Sequence, residues 1–420
     1  MAFQPQVIVV GAGPCGCLLA LRLIRQGIRV ALFEQDEEIQ PHFRALGYPG
    51  STHAALEKAG IWEEVYEKGS IKTGFSWRKL ARDVGPDGKE KAWGDLIVTW
   101  DPYVNSSLKE GDVGYGMLAL PQNRFREIIL PKILDSDLAK VYLGHTVVNI
   151  RQGSTSATVT AINAAGTEVQ ATGCFIVGAD GGKSSIRKEL GLHLEGFTWP
   201  HIVVAVDAHI DLPPPNDGPS SLYCVDPVDF AFFSIIEKPC KTGTNLWRCT
   251  LAMTEEESRT EVFDANLRLK MEKLVPGPRP LEYQLLRSQL YRLHQRSAAT
   301  MKSGRCLLIG DAAHLTNPWG GLGLTTGILD ADSLADALGF VINNGKPEAV
   351  LQAWSDARID VFKNIVSPTA TKNLLRCYEA DPENPLLDPF FKMIHENSEE
   401  LNSINQNYER MVTDMSQLVN

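Results

Sequence analysis

Apolar positions near the start of the chain switch period within thirty residues. Val7-Ile8-Val9-Val10 is an uncharged β-branched run, the pattern of a strand buried on both faces. Leu18, Leu21 and Ile24 then recur at helical spacing, with Ala20 and Leu23 beside them. Gly27 ends that helix, and residues 29–33 read as a second strand closed by Glu34. The stretch predicts a βαβ unit with parallel strands.

The rest of the pattern predicts a mixed α/β chain. Residues 51–59 read as a helix with Leu56 inward and Gly60 at its end. Residues 73–80 and 96–100 read as strands of a separate sheet, with 83–91 an exposed hairpin or loop. Phe125, Ile128 and Ile129 mark a helix after Leu118-Ala119-Leu120-Pro121. Residues 141–146, 147–151 and 156–162 predict an antiparallel meander, and 174–177 another buried strand. From about 200 the strands follow one another without helices: 201–210, 221–225, 230–236 and 246–253. Residues 306–309 return to the parallel type and lead into a long helix with Ile328, Leu334, Ala335 and Leu338 inward. The remainder reads as helical, broken at Pro368 and at the prolines between 382 and 389.

Between the first strand and its helix stands Gly11-Ala12-Gly13-Pro14-Cys15-Gly16, which fits G-x-G-x-x-G. Gly11 allows the tight turn, Gly13 lets a diphosphate approach the backbone, and Gly16 lets helix and strand pack closely. The helix start, with its free N–H groups and positive dipole end, suits phosphate. Glu34 falls where this fingerprint places an acid that accepts from a ribose hydroxyl, which favours bound FAD or NAD over NADP.

Composition narrows the partners. The net charge is −10 and no basic run occurs, which argues against nucleic acid. No stretch reaches the ~18 apolar residues of a membrane span. The first strand begins near residue 6, leaving no room for a signal peptide, and the eight cysteines form no C-x-x-C pair. A cytoplasmic setting with free thiols is expected, Cys15 and Cys17 being packing residues.

Two further motifs follow: Asp180-Gly181-x-x-Ser184-x-x-Arg187, and Gly310-Asp311-Ala312-Ala313-His314. With the glycine turn they resemble the class A flavoprotein monooxygenases of the para-hydroxybenzoate hydroxylase-like family, over about residues 5–370. The resemblance implies a Rossmann-like FAD-binding domain (1–75, 115–190 and 296–370), an inserted antiparallel-sheet substrate domain (76–114 and 191–295), and a C-terminal helical segment (371–420). It implies that Gly11, Gly13, Pro14, Gly16 and Glu34 hold the adenosine half of FAD. Arg44 would lie near the diphosphate, Gln122 would contact FAD, and Asp180 would serve the motif shared with the nicotinamide donor. Asp311 would accept from the ribitol chain, Pro318 would stand beside the reactive edge, and backbone groups of Gly321, Leu322, Gly323, Leu324 and Thr325 would face the pyrimidine carbonyl. Where the family often has Gly-Gly-Gln-Gly-x-Asn, this chain has Gly320-Gly321-Leu322-Gly323-Leu324-Thr325, with Thr325 expected to cap the helix in place of Asn.

The activity implied is oxygenation of a small aromatic or polycyclic compound by NADPH or NADH and dioxygen through a flavin C4a-hydroperoxide, in a pocket that excludes water. Tyr223 and Arg248 are the best polar candidates for acting on substrate; an edge tyrosine and an exposed arginine are the plain alternatives. His314 is expected to pack or to stand beside the flavin, while Trp247 and Phe232-Phe233 could stack on a flat substrate or fill the core. An isoprenoid reductase or dehydrogenase, or a non-catalytic redox flavoprotein, are the rival functions.

Overall fold

The computed structural model describes residues 3–38, 47–84, 89–103, 106–237, 243–401, 404 and 408–418. At its centre is a six-stranded sheet, ordered Ala139–Tyr142, Val30–Phe33, Val7–Val10, Phe175–Gly178, Cys306–Leu308 and Lys302–Ser303. The first five run parallel, and the last is an antiparallel edge. The four-residue runs at Val7, Val30 and Phe175 are buried throughout, as uncharged strands covered on both sides must be. Helices Pro14–Arg25, Gln122–Leu134 and Leu322–Ile342 pack together as one layer of that cover, and the antiparallel strands His145–Gln152, Ala157–Asn163 and Glu168–Gly173 pack on the sheet as well. Gly27 takes a φ of 77° at the end of the first helix.

A second sheet has eight strands: His314–Leu315, Gln284–Ala298, Leu194–Ile210, Asn245–Met253, Ala231–Glu237, Ser221–Cys224, Phe75–Arg78 and Leu96–Trp100. One face buries Trp247, Phe233 and Leu251 against Leu267 and Met271 of helix Phe263–Leu274. The other gathers Trp77, Tyr223 and Phe230 with Trp319, Phe390 and Phe391 from later in the chain. A small sheet of Gly47–Pro49, Met117–Ala119 and Ser70–Lys72 joins the two regions.

Three expectations change. The meander is built from His145–Gln152, Ala157–Asn163 and Glu168–Gly173, while Ala139–Tyr142 pairs in parallel with Val30–Phe33 instead. Pro368 does not break the C-terminal helices: it sits at the first turn of Ser367–Glu379, where its missing N–H costs nothing, after a π-helical turn at Phe362–Val366. Strand Gln284–Ala298, absent from the expectations, shows no period-2 signal in its first half, because Leu285 and Leu286 stand side by side and exposed, followed by Arg287, Ser288 and Gln289. No helix among the described residues is long and apolar enough to cross a membrane.

Candidate active site

Two of the three motif glycines answer to the fold and one to open space. A Cβ on Gly11, whose φ is 103°, would strike the Ala179 carbonyl, and one on Gly16 would strike the Gly11 carbonyl. Around Gly13 no heavy atom lies within 4 Å of an added Cβ. A cradle of this kind at a helix start fits a diphosphate. Glu34 closes its side: Oε2 accepts from Ala12 N at 2.7 Å and Oε1 from Asp36 N at 3.1 Å. Gln122 begins its helix half-buried, with Pro121 before it. Arg44 lies outside the described residues.

The second and third motifs are tied together. Asp180 caps the short helix Ser185–Glu189, accepting from Ser184 Oγ at 2.5 Å, Ser185 N at 2.7 Å, Ser185 Oγ at 3.0 Å and Ile186 N at 3.2 Å. Arg187 donates to Ala312 O at 2.9 Å and Gly182 O at 2.8 Å, bridging the Asp180 loop to the Gly310–Ala312 turn. Gly310, at a φ of 58°, and Gly327 both press on Cys15: added Cβ atoms would come within 3.1 Å and 2.6 Å of its sulfur. Cys15 therefore packs the junction of three elements. Asp311 stands exposed on the Gly310 turn.

Beneath that turn lies a buried group the sequence did not announce. Asp330 Oδ2 accepts from Gly310 N at 3.0 Å and faces His314 Nε2 at 2.7 Å, while Oδ1 accepts from Arg358 Nε at 2.7 Å. Burial alone would raise the Asp330 pKa, but His314 and Arg358 outweigh it and hold it at about 2. Arg358 also donates to Met411 O at 2.6 Å and to Thr326 Oγ1 at 3.0 Å. His314 thus packs and orients, stacked on Phe362 at 4.9 Å. Nothing local in the sequence marks them, since both helices carry other charged residues, Asp332 and Asp336 in one and Asp356 and Asp360 in the other.

The following turn is braced the same way. Gln295 Oε1 accepts from Asn317 N at 2.9 Å and Thr316 Oγ1 at 3.1 Å, and Asn317 Oδ1 accepts from Trp319 N at 3.0 Å. Pro318 is exposed, Gly321 takes a φ of 64°, and the helix Leu322–Ile342 starts there. The N–H groups of Leu322, Gly323 and Leu324, at its start, have no partner within the helix. Thr325 does not cap them: its hydroxyl donates backward to Gly321 O at 3.1 Å, because it lies a full turn inside.

Tyr223 meets this turn from the sheet, donating its hydroxyl to Trp319 O at 3.0 Å. It is 7% exposed and lies between Trp77 at 5.3 Å and Phe232 at 4.7 Å, so it is no edge residue. Burial pushes its phenol well above the usual pKa and keeps it neutral. A cavity of about 40 Å³ adjoins it, walled by Phe75, Trp77, Trp100, Phe390, Gly320 and Leu322.

Arg248 is not an exposed arginine either. At 7% exposure it pairs with Asp207, Nε at 2.7 Å and Nη2 at 2.8 Å, and it does not line that cavity. Cross-strand register sets it opposite Ser234, while Tyr223 opposes Phe232. A polar strip missed by sequence reasoning adjoins both: Lys72 Nζ donates to Ser234 Oγ at 2.9 Å, and Ser221 Oγ lies 3.1 Å from Ser234 Oγ. Of the stacking candidates only Phe232 shares the Tyr223 face. Trp247 and Phe233 fill the opposite core, with Trp247 Nε1 donating to Leu212 O at 3.0 Å.

Comparison with known proteins gives the family of the chain. The FAD binding domain family matches residues 4–369. A para-nitrophenol 4-monooxygenase from a Pseudomonas strain is 33% identical over 384 residues, 91% of this chain and 89% of that protein. The 6-hydroxy-3-succinoylpyridine 3-monooxygenase HspB of Pseudomonas putida is 31% identical over 385 residues, 91% of each chain. The crystal structure of p-nitrophenol 4-monooxygenase PnpA from Pseudomonas putida superposes with a TM-score of 0.84 at 32% identity, over 98% of this chain and 99% of that one. The chain belongs to the FAD binding domain family and is a class A, NAD(P)H- and FAD-dependent monooxygenase of the para-hydroxybenzoate hydroxylase-like type; the reductase and non-catalytic alternatives are set aside.

Proposed function

We propose that this monooxygenase hydroxylates a small hydroxyarene at the ring carbon para to its hydroxyl, where a polar substituent stands. The observation that carries the reading is the Tyr223–Trp319 contact, which joins the aromatic wall of the sheet to the Pro318–Gly321 turn. The cavity there is walled by Phe75, Trp77, Trp100 and Phe390, flat side chains that suit an aromatic substrate. Two relatives support the position of attack. Their names put oxygenation at C4 of p-nitrophenol and C3 of 6-hydroxy-3-succinoylpyridine, in each case the substituted carbon para to the hydroxyl.

In this reading Gly11, Gly13, Pro14 and Gly16 receive the diphosphate of FAD, and Glu34 its adenosine ribose. Gln122 and Asp311 contact the chain between the two rings, Asp180 holds the loop beside it, and Arg44 completes the site. The N–H groups of Gly321, Leu322, Gly323, Leu324 and Thr325 face the pyrimidine carbonyl, where charge builds on reduction. FAD, reduced by NADPH or NADH, supplies the two-electron chemistry that activates dioxygen. The protein's part is to orient the ring against Pro318 and to keep water out with Trp77, Trp100 and Phe390. Arg248, paired with Asp207, stands in the sheet opposite Ser234. The Rossmann-like and inserted-sheet regions work as separate domains with the bounds expected above, in a cytoplasmic protein.

The test is 4-nitrophenol with NADPH and the FAD-loaded enzyme. Hydroxylation at the nitro-bearing carbon expels nitrite, so nitrite should appear with NADPH loss. Ring hydroxylation elsewhere, with the nitro group kept, would overturn the position assigned.

A further inference from the structure

Arg126 is a buried cation without a partner. It sits on the helix Gln122–Leu134 at 9% exposure, and its Nε, shut off from solvent, makes no hydrogen bond. Among the described residues no carboxylate pairs with it. Three positions earlier, on the same helix face, the Asn123 Oδ1 is also buried and unpartnered. A guanidinium in such a place is costly unless an anion joins it.

Its neighbours say which anion. This helix packs on Pro14–Arg25, the helix that follows the glycine turn. Cys17, on the first turn of that helix, has its thiol pushed up to about 12, first by burial; Arg126 draws it down and Glu34 pushes it up. Guanidinium and Glu34 carboxylate both act on the Cys17 thiol in the first turn of that helix. Glu34 does not pair with Arg126, since no Glu34 oxygen lies within salt-bridge distance of the guanidinium, and both oxygens accept from Ala12 N and Asp36 N instead. The positive end of the helix Pro14–Arg25 opens onto the empty space around Gly13, and the helix that carries Arg126 packs against that same helix. Gln122 shares the Arg126 face one turn earlier, at i and i+4.

We propose that Arg126 is a phosphate ligand for the adenosine-diphosphate half of the bound dinucleotide, donating to an oxygen that the glycine turn also holds. The proposal rests on the FAD site described above. It makes the helix Gln122–Leu134 a second wall of the diphosphate site and explains why an arginine stands among Phe125, Ile128 and Ile129.

The test uses the full-length apoprotein, titrated with FAD, ADP and adenosine, for the wild type, Arg126→Met and Arg126→Lys. Arg126→Met should weaken FAD and ADP alike, on the order of 10- to 100-fold, as for one charge-assisted hydrogen bond. Adenosine binding should stay unchanged and Arg126→Lys should fall between. The Arg126→Met apoprotein should melt no lower than wild type, because it sheds an unpaired buried charge. Unchanged FAD and ADP affinity, or a lower apoprotein melting temperature with adenosine and ADP weakened equally, would overturn the proposal and leave Arg126 a packing residue. A wild-type apoprotein that takes up no FAD would instead sink the cofactor site itself.

Discussion

Arg358 Nε stands 2.7 Å from Asp330 Oδ1, and both side chains are fully shielded from solvent. The second Asp330 oxygen holds Gly310 N and faces His314, so one carboxylate anchors the turn that presents Asp311. The other end of Arg358 grips Met411 and Thr413 near the C-terminus. The turn and the C-terminal strap therefore share one buried ion pair. Removing Arg358 leaves the buried Asp330 carboxylate with only His314 and Gly310 N, and breaking a buried pair in this way costs about 3–5 kcal/mol. Arg358→Met should lower stability by that amount in denaturant titration and loosen FAD binding, although Arg358 lies on a helix away from the proposed cofactor contacts. Wild-type stability in this variant would show that the pair does not brace the turn.

The glycine turn separates folding from binding. Gly13→Val should yield a folded, colourless protein, since its Cβ meets nothing while its branches enter the proposed diphosphate space. Gly16→Val should fail to fold, because a Cβ there strikes the Gly11 carbonyl. Circular dichroism and flavin absorbance of the two purified variants check this. A yellow Gly13→Val protein with normal FAD content would move the diphosphate elsewhere.

His53 is expected to make stability fall in mild acid. Its Nδ1 accepts from Gly114 N at 3.2 Å, so Nε2 must carry the proton it shares with Tyr48 O at 2.9 Å. Burial lowers its pKa to about 4, from 6.5 for an ordinary histidine, against the opposing Tyr48 bond. The folded protein thus resists a proton that the unfolded chain accepts. Stability from this site is complete above pH 6.5 and drains away as pH falls toward 4, by roughly 3 kcal/mol in all. His53→Gln should flatten that part of the stability–pH curve, measured by urea titration at pH 7 and pH 4.5. An equal slope in wild type and variant would clear His53 of the effect.

Four of the five parallel strands were legible because they are uncharged and their turns carry glycines whose geometry only glycine tolerates, Gly11, Gly16 and Gly310; the fifth, Ala139–Tyr142, carries Lys140 and reads as part of the meander. The three motifs were legible for the same reason, each being local. What stayed hidden depends on distant pairing. Asp330 and Arg358 are 28 positions apart, and Arg248 and Asp207 are 41 apart, so no spacing in the chain betrays either pair. Lys72 and Ser234 come together only because a three-stranded sheet lies across an eight-stranded one. Arg126 hid among apolar neighbours on a helix whose inward face was read from Phe125, Ile128 and Ile129 alone.

Tyr223 and Arg248 were paired as candidates by the sequence, and the structure gives them different work. Tyr223 bonds to the Trp319 carbonyl, in the turn that presents Pro318, and touches the cavity. Tyr223→Phe removes one neutral hydrogen bond, about 1 kcal/mol, and keeps the ring that stacks on Trp77. The fold should survive, while the turn loses its tether and water gains access. NADPH consumption should then continue as peroxide replaces hydroxylated product, with the peroxide share rising several-fold. Arg248→Met breaks a buried bidentate pair with Asp207 and should instead cost about 3–5 kcal/mol of stability. Asp207→Asn with Arg248→Met should recover part of that loss, because no lone charge remains. Measuring NADPH, peroxide and product beside a denaturant titration for each variant separates the two roles. Tight coupling retained in Tyr223→Phe would remove that hydroxyl from the control of the reaction, and an Arg248→Met enzyme of normal stability that bound substrate poorly would return Arg248 to the pocket.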